Sequence, residues 1–255
     1  MNPCTDAPAA LLWDIDGTVA ETERDGHRVA FNLAFAEEGL AWGWDEQRYG
    51  ELLHVTGGRE RLLADMAHRP DAPAREAERQ SLAQRLHQRK NRHYEQLVEQ
   101  GLISARPGVL PLMRDAAAAG ARQAIVTTTS RSNVVALMSR LLGPHWAGHF
   151  SAVVCGEDAP RKKPDPQAYV LALEQLGLPA QAGLALEDSA PGLAAARAAG
   201  LKVWLRPSVY FACDQIADPA VHLAAADEPL QWPALVAWFS QRRAPLAGAA
   251  CFSTS

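Results

Sequence analysis

Two aspartates stand two residues apart in Asp14-Ile15-Asp16-Gly17-Thr18, directly after the apolar run Ala9-Ala10-Leu11-Leu12-Trp13. Residues two apart in an extended segment share a side, so both carboxylates can address one cleft. One can hold a metal ion and attack an electrophile while the other serves beside it as acid or base. Gly17 lets the chain turn sharply and bring its backbone close to a ligand. Three more polar groups follow apolar runs or precede a proline: Thr127-Thr128 after Gln123-Ala124-Ile125-Val126, Lys162-Lys163 before Pro164, and Glu187-Asp188 after Gly183-Leu184-Ala185-Leu186. Carboxylates gathered without histidine or cysteine select a hard cation, Mg²⁺ rather than zinc. The Thr127 hydroxyl can donate to an anion, and the Thr128 amide adds the field of a helix N-terminus. Lys163, held by Pro164, supplies a point charge for the same anion. An oxygen-rich metal site, an anion cradle and a nucleophilic carboxylate together point to phosphoryl transfer.

Each feature has a plainer reading when taken alone. Asp14 and Asp16 could be a solvated turn, Thr127 a strand-end threonine, Lys163 a surface lysine, and Glu187-Asp188 a helix cap ahead of Ser189 and Pro191. Other ligand motifs do not fit. Val19 fills the sixth position of an EF-hand counted from Asp14 and Asp25 fills the twelfth, where Gly and Glu are needed. No G-x-x-x-x-G-K-[ST] occurs. His145 and His149 are four apart, but Pro144 and Gly148 make that segment a loop rather than a metal-binding helix face. The joint occurrence of the four polar groups, in order along the chain, favours the functional reading. Lysine is also sparse: of 25 basic residues only Lys90, Lys162, Lys163 and Lys202 are lysine.

These side chains need elements to position them. Short apolar runs near residues 9–13, 123–126, 152–155, 183–186, 202–205 and 221–223 read as strands. Helical patterns separate them, with Pro near the starts and Gly behind the ends: one ending at Ala119, one over 132–142, one opened by Pro164, one from Pro191 to Gly200, and one over 233–241. Strands joined by single helices require right-handed crossovers and a parallel sheet covered on both faces. The fold class is therefore α/β, with a three-layer Rossmann-like parallel sheet. Residues 20–104 break the rhythm. They are charged and helical throughout, with a long exposed helix expected over 75–101, and Trp42 and Trp44 expected to pack helices together. The chain divides into a core of residues 1–19 and 105–243, a helical cap of residues 20–104, and a frayed tail over 244–255. Ligands of open parallel sheets bind beyond the carboxyl ends of the strands, where the four polar groups fall.

Composition narrows the function. With 255 residues, 48% apolar and 21% charged, the chain is globular. Its formal net charge of −4 gives no footprint for nucleic acid. No run of about 18 uncharged apolar residues suggests a membrane span. The opening Met1-Asn2-Pro3-Cys4-Thr5-Asp6 has no basic segment leading into an apolar one, and the four cysteines form no C-x-x-C pair, so a cytoplasmic location is expected. A closed cleft suits a monomer.

The four groups, as Asp14-Ile15-Asp16-Gly17-Thr18, Ile125-Val126-Thr127-Thr128, Lys163-Pro164 and Glu187-Asp188-Ser189-x-x-Gly192, resemble the four motifs of the haloacid dehalogenase-like phosphohydrolases. The resemblance implies that Asp14 is a nucleophile forming an aspartyl-phosphate and Asp16 the general acid/base, whose backbone carbonyl also ligates Mg²⁺. It implies that Thr127, Thr128 and Lys163 hold the phosphoryl group and that Glu187 and Asp188 complete the metal site. Ala20-Glu21-Thr22-Glu23, His27-Arg28-x-Ala30-Phe31-Asn32, Thr56-Gly57-Gly58-Arg59-Glu60-Arg61 and Ala185-Leu186-Glu187-Asp188-Ser189 further resemble the CbbY subgroup, sugar-bisphosphate phosphatases of Calvin-cycle carbon fixation whose substrate is xylulose 1,5-bisphosphate. Glu23, His27, Arg59, Arg61 and Lys90 are the cap residues implied to meet a small phosphorylated sugar. One departure is that Arg24-Asp25-Gly26-His27 is one residue longer than the subgroup's usual pattern. β-Phosphoglucomutase shares the core motifs. A mutase using the same phosphoaspartate is the enzymatic alternative, although Thr18, in place of the mutase's Val, favours hydrolysis. A phosphate-sensing regulatory protein is the non-enzymatic alternative, disfavoured by the intact Asp14, Asp16, Lys163 and Asp188.

Overall fold

In the computed structural model, which describes residues 7–211, 215–225 and 228–241, β1 (Ala10–Trp13) runs fully buried through the centre of a sheet. The chain then makes four helices, α1 (Arg28–Glu37), α2 (Glu46–Leu52), α3 (Gly58–Met66) and α4 (Glu76–Glu99), before it returns to the sheet. The return alternates α5 (Val109–Ala118), β2 (Arg122–Val126), α6 (Arg131–Leu142), β3 (Ala152–Val154), α7 (Gln167–Leu176), β4 (Gly183–Glu187), α8 (Ala190–Ala198), β5 (Lys202–Leu205), β6 (Val221–Leu223) and α9 (Trp232–Phe239). All the sheet pairings are parallel, in the order β3-β2-β1-β4-β5-β6. The tail expected to fray from residue 244 lies outside the described residues.

Alternation along β1 separates the two faces. Leu11 and Trp13 enter one apolar cluster with Leu112, Ile125 and Leu137, while Ala10 and Leu12 enter the other with Val126, Tyr169 and Leu173. The one polar atom of Trp13 is satisfied within its layer, where Nε1 donates to Gln123 Oε1 at 2.7 Å.

The helices between β1 and β2 carry their own cluster, built on Phe31, Phe35, Trp42, Trp44, Tyr49, Leu62 and Leu86. Trp42 and Trp44 pack these helices together as expected, and Trp44 Nε1 reaches Asp65 Oδ2 at 3.0 Å. α4 departs from the sequence reading. It is not a free exposed helix, because Leu82, Leu86, Lys90, Tyr94 and Val98 form a buried stripe at four-residue spacing. Tyr94, Leu97 and Val98 belong to the same cluster as Leu11 and Trp13, so one helix is shared between insert and sheet layer. The two chain crossings into and out of the insert run side by side: Ala20 bridges Ala105 antiparallel, and Arg106 N donates to Val19 O at 2.8 Å.

Two local features refine the sequence reading. Pro164 does not open α7, which begins three residues later. It sits in a turn closed by Asp165 N on Lys162 O at 2.9 Å. Residues Glu23–His27 form a single π-helical turn that runs directly into α1. A π turn holds an extra residue relative to an α turn.

Candidate active site

The sheet brings the four motifs to one rim. Trp13 pairs with Ile125 on one side and Leu186 on the other, so Asp14 emerges level with the ends of β2 and β4. Asp14, Glu187 and Asp188 each offer an oxygen within 4.8 Å of the others, and all three are buried. Lys163 Nζ donates to Asp14 Oδ1 at 2.7 Å, Glu187 Oε1 at 2.7 Å and Val126 O at 2.9 Å, which uses all three of its protons. Tyr169 OH donates to Glu187 Oε1 at 2.5 Å, and its ring lies 5.1 Å from Lys163 Nζ. Ser208 Oγ reaches Asp188 Oδ2 at 2.5 Å.

Three buried carboxyls around one ammonium are electrostatically crowded. Burial pushes Asp14 up to about 8, with the Glu187 and Asp16 charges adding and Lys163 opposing. Burial together with Asp14 and Glu187 also raises Asp188 well above the carboxylate range. Asp14 and Glu187 hold Lys163 above its ordinary value even though burial acts against its charge. An all-oxygen donor set of this kind fits a hard divalent cation. Gly17 makes room for it: at φ +86° its added Cβ would lie 2.1 Å from Asp188 Oδ2, so backbone conformation and space both require glycine.

Asp16 faces away from this cluster. Its Oδ1 accepts from Thr22 Oγ1 at 2.6 Å and meets His27 Nε2 at 2.9 Å, and the His27 ring stacks on Tyr94 at 4.3 Å. Burial alone would raise Asp16, but the His27 charge and hydrogen bond, with Thr22, bring it down to about 2. Thr127 is buried at the end of β2, where its Oγ1 accepts from Thr129 N at 3.2 Å.

A chamber of about 50 Å³ lined by Asp14, Asp16, Thr128, Lys163 and Asp188 adjoins a larger cavity of about 380 Å³, and Asp16, Glu23, Arg61 and Thr128 line both. Glu23, His27, Arg59, Arg61 and Lys90 all line the larger cavity, but in different states. Arg61 is buried, donates to Tyr49 OH at 2.8 Å and lies 3.8 Å from Glu23, which also accepts from Tyr49 OH. Lys90 is buried over the rings of Tyr94 and Phe31 at 5.2 and 5.4 Å, and burial brings it down to about 8 against the pull of Asp16 and Glu23. Arg59 is exposed, with Nη2 3.4 Å from Gln80 Oε1. The exposed His145 and His149 lie in and beside a short 3₁₀ turn and line none of these spaces. Sequence reasoning did not assign Tyr169, Ser208 or Thr22, nor His87 and Ser130, which also line the larger cavity. It set Lys162 aside in favour of Lys163, although the scarcity of lysine was a signal for both.

A doubly wound sheet with acidic groups at the ends of β1 and β4 and a lysine between them defines a phosphohydrolase of the haloacid dehalogenase-like class. The chain belongs to that family, whose pattern, described as haloacid dehalogenase-like hydrolase, matches residues 8–200. It is a phosphatase, and within the family it is similar to CbbY over most of its length. Protein CbbY of Rhodobacter capsulatus is 43% identical over 201 residues, which cover 79% of this chain and 86% of that protein. The crystal structure of CbbY from Rhodobacter sphaeroides in complex with phosphate superposes with a TM-score of 0.79 at 38% identity, covering 88% of this chain and 95% of that one. A mutant of the same protein in complex with xylulose 1,5-bisphosphate gives 0.76 at 38% identity, over 82% and 91% of the two chains. Among the described residues no helix is long and apolar enough to cross a membrane.

Proposed function

We propose that this phosphatase hydrolyses a small sugar bisphosphate of the xylulose 1,5-bisphosphate kind, with Mg²⁺, through an aspartyl-phosphate on Asp14, and so serves carbon metabolism of the Calvin-cycle type. The observation that carries the reading is the paired cavity. A tight chamber at Asp14 suits one phosphoryl group, and the adjoining cavity, lined by Arg59, Arg61 and Lys90, suits the sugar and a second anion. A CbbY structure holding that bisphosphate supports the choice of substrate.

In this reading Asp14, Glu187 and Asp188 hold Mg²⁺ with their carboxylates and Asp16 with its backbone carbonyl. The bound cation supplies positive charge to the phosphoryl oxygens and keeps Asp14 ionised. Lys163, giving up one of the three acceptors it holds without substrate, binds the remaining phosphoryl oxygens together with Thr127 and the Thr128 amide. Asp14 forms a bond from its carboxylate oxygen to phosphorus as the phosphorus–sugar oxygen bond breaks, and Asp16 gives that oxygen a proton. Asp16, now a carboxylate, takes a proton from water as the water oxygen attacks phosphorus. The bond to Asp14 breaks, phosphate leaves, and both aspartates return to their starting states. Asp16 needs a proton for the first step and none for the second. Its 2.9 Å contact with His27 Nε2 lets the pair share the proton, and the arriving phosphoryl charge favours its placement on Asp16. Residues 20–104 act as a cap that swings about the paired crossing at Ala20 and Ala105 to exclude water.

The test is to incubate the enzyme with xylulose 1,5-bisphosphate and measure free phosphate and sugar-phosphate isomers together, with Mg²⁺ and with EDTA. One phosphate released per substrate with Mg²⁺, and none in EDTA, is expected. Phosphate that changes position on the sugar without release would instead establish a mutase.

A further inference from the structure

Residues 206–211, just after β5, touch the acidic cluster at one end and the cap helices at the other. The start of the segment is fixed to the core. Arg206 N donates to Glu187 O at 2.8 Å, and the Arg106 guanidinium donates to the carbonyls of Arg206 at 2.9 Å and Pro207 at 3.0 Å. Arg106 also donates to Gly17 O and lies 3.2 Å from Glu21, so it ties this segment to the loop after β1. Ser208 follows. It is buried, and its Oγ donates to Asp188 Oδ2 at 2.5 Å. The other Asp188 oxygen has a longer contact, 3.4 Å from the Thr18 hydroxyl, so Ser208 is the closer hydroxyl orienting that carboxylate.

Two residues further on, the chain reaches the cap. A turn closed by Phe211 N on Ser208 O at 3.1 Å brings Tyr210 and Phe211 against the apolar cluster of the cap helices, while Val209 stays exposed. The Tyr210 ring stands edge-on to Tyr49, and an added Cβ at Gly50 would lie 3.1 Å from it, so the ring packs directly beneath α2. Its hydroxyl has no partner among the described residues, which leaves the ring to make the contact. Tyr49 OH in turn donates to Glu23 and accepts from Arg61, two residues that line the cleft. One short, anchored turn therefore has a buried carboxylate at one end and a cap helix at the other.

We propose that Ser208 and Tyr210 are positioning residues, and that the turn between them couples cation binding at Asp188 to the seating of the cap. The inference rests on the cation reading above. A cation that fixes the Asp188 carboxylate fixes the hydroxyl donating to it, the hydroxyl fixes the turn, and the turn holds the Tyr210 ring under α2. A group that orients a ligating carboxylate is typically worth about ten- to a hundredfold in metal affinity. Linkage makes the relation reciprocal: a cap contact that favours the turn raises cation affinity by the factor with which the cation favours that contact. The cap thereby seats best on an enzyme already loaded with its cation.

The experiment uses the full chain without substrate and takes two readouts. One is Mg²⁺ affinity by calorimetric titration. The other is backbone hydrogen exchange across α2, with and without saturating Mg²⁺, which reports local opening of the cap. The proteins are wild type, Ser208→Ala, Tyr210→Ala, Tyr210→Phe and the double alanine variant. Mg²⁺ is expected to slow exchange across α2 in wild type. Ser208→Ala should bind Mg²⁺ about ten- to a hundredfold more weakly and, once resaturated, should no longer slow α2. Tyr210→Ala should weaken Mg²⁺ about fivefold or more, the lower end for coupled sites, although its ring lies outside the acidic cluster. Tyr210→Phe keeps the ring and should match wild type in both readouts. The double variant should lose no more Mg²⁺ affinity than Ser208→Ala alone, because both changes cut one connection. Wild-type Mg²⁺ affinity in Tyr210→Ala overturns the coupling and makes Tyr210 a packing residue of the cap, as does a double variant whose losses multiply. Wild type that binds no Mg²⁺ would sink the cation reading and the coupling together. Wild type that binds Mg²⁺ with no change across α2 sinks the coupling alone.

Discussion

Asp14 carries the sharpest electrostatic consequence at the scale of single residues. In metal-free protein it is raised from 3.8 to about 8, chiefly by burial. Below pH 3.8 folded and unfolded chains both hold its proton, and between 3.8 and about 8 only the folded chain does. The stability tied to this group is therefore complete at the acid end of the window and is lost as pH rises through it. With chelator present, wild type should lose melting temperature across that window relative to Asp14→Asn, which cannot titrate there. The variant should also show no turnover with Mg²⁺. Parallel pH profiles for the two proteins would show that the crowding is not felt. Lys90 gives a second pH signature. It is charged below about 8 and neutral above, and only the charged form attracts an anion. KM for a phosphorylated sugar should rise as pH passes about 8. Lys90→Arg, whose guanidinium stays protonated, should flatten that alkaline limb, and a limb of the same shape in the variant would assign it to another group.

Two elements place side chains through packing that is close to the steric limit. Ser189 caps α8 by accepting from Gly192 N at 3.3 Å, and the first turn of the helix lies over Glu187. An added Cβ at Gly192 would sit 1.9 Å from Glu187 Oε2. Gly192→Ala must move either the helix or the carboxylate, at a cost of about 1–3 kcal/mol for overpacking. The expected result is lower stability to denaturant together with weaker Mg²⁺ binding by titration. Unchanged metal affinity would mean that the helix yields and the carboxylate stays. The π turn at Glu23–His27 plays the corresponding part on the cap side. By holding one residue more than an α turn, it delivers Glu23 to Tyr49 and His27 to Asp16 from the same short segment.

On the scale of the whole molecule, residues 20–104 meet the rest of the chain at several polar points, among them Asp16 with Thr22 and His27. Thr56 Oγ1 donates to the backbone carbonyl of Lys163 at 2.5 Å, and the Tyr210 ring, from the loop after β5, stands edge-on to Tyr49 at 5.9 Å. The Thr56 contact ties the segment before α3 directly to the residue that holds Asp14 and Glu187. Thr56→Val removes one hydrogen bond of about 0.5–1.5 kcal/mol and conserves shape. If that contact favours the closed cap, kcat/KM should fall about two- to tenfold while the melting temperature stays near wild type. Full activity in Thr56→Val would show that closure does not depend on it.

The order and type of the elements, and the four groups at strand ends, were legible in the residues themselves. Apolar runs bounded by Gly, Pro and polar turns dictate buried strands and intervening helices, and a parallel sheet then sends every strand end to one rim. Burial and partnership were not legible, because they depend on contacts between distant parts of the chain. Lys163 and Asp14 are 149 positions apart, and the pattern could not show that all three protons of that ammonium are spent. α4 read as exposed because Arg, Gln and Glu mask a stripe that α1, α3, α6 and the sheet layer bury. Arg59 and Arg61 looked equivalent after the Gly-Gly turn, yet the helix directs one to solvent and the other onto Tyr49. The scarcity of lysine was a real signal whose meaning needed the fold. Lys90, Lys162 and Lys163 line the cleft, while Lys202 packs near Trp238. Sequence determined which chemistry was present. Tertiary structure decided which charges were paired and which faced the cavity, because neutralisation is set by distance in space and not along the chain.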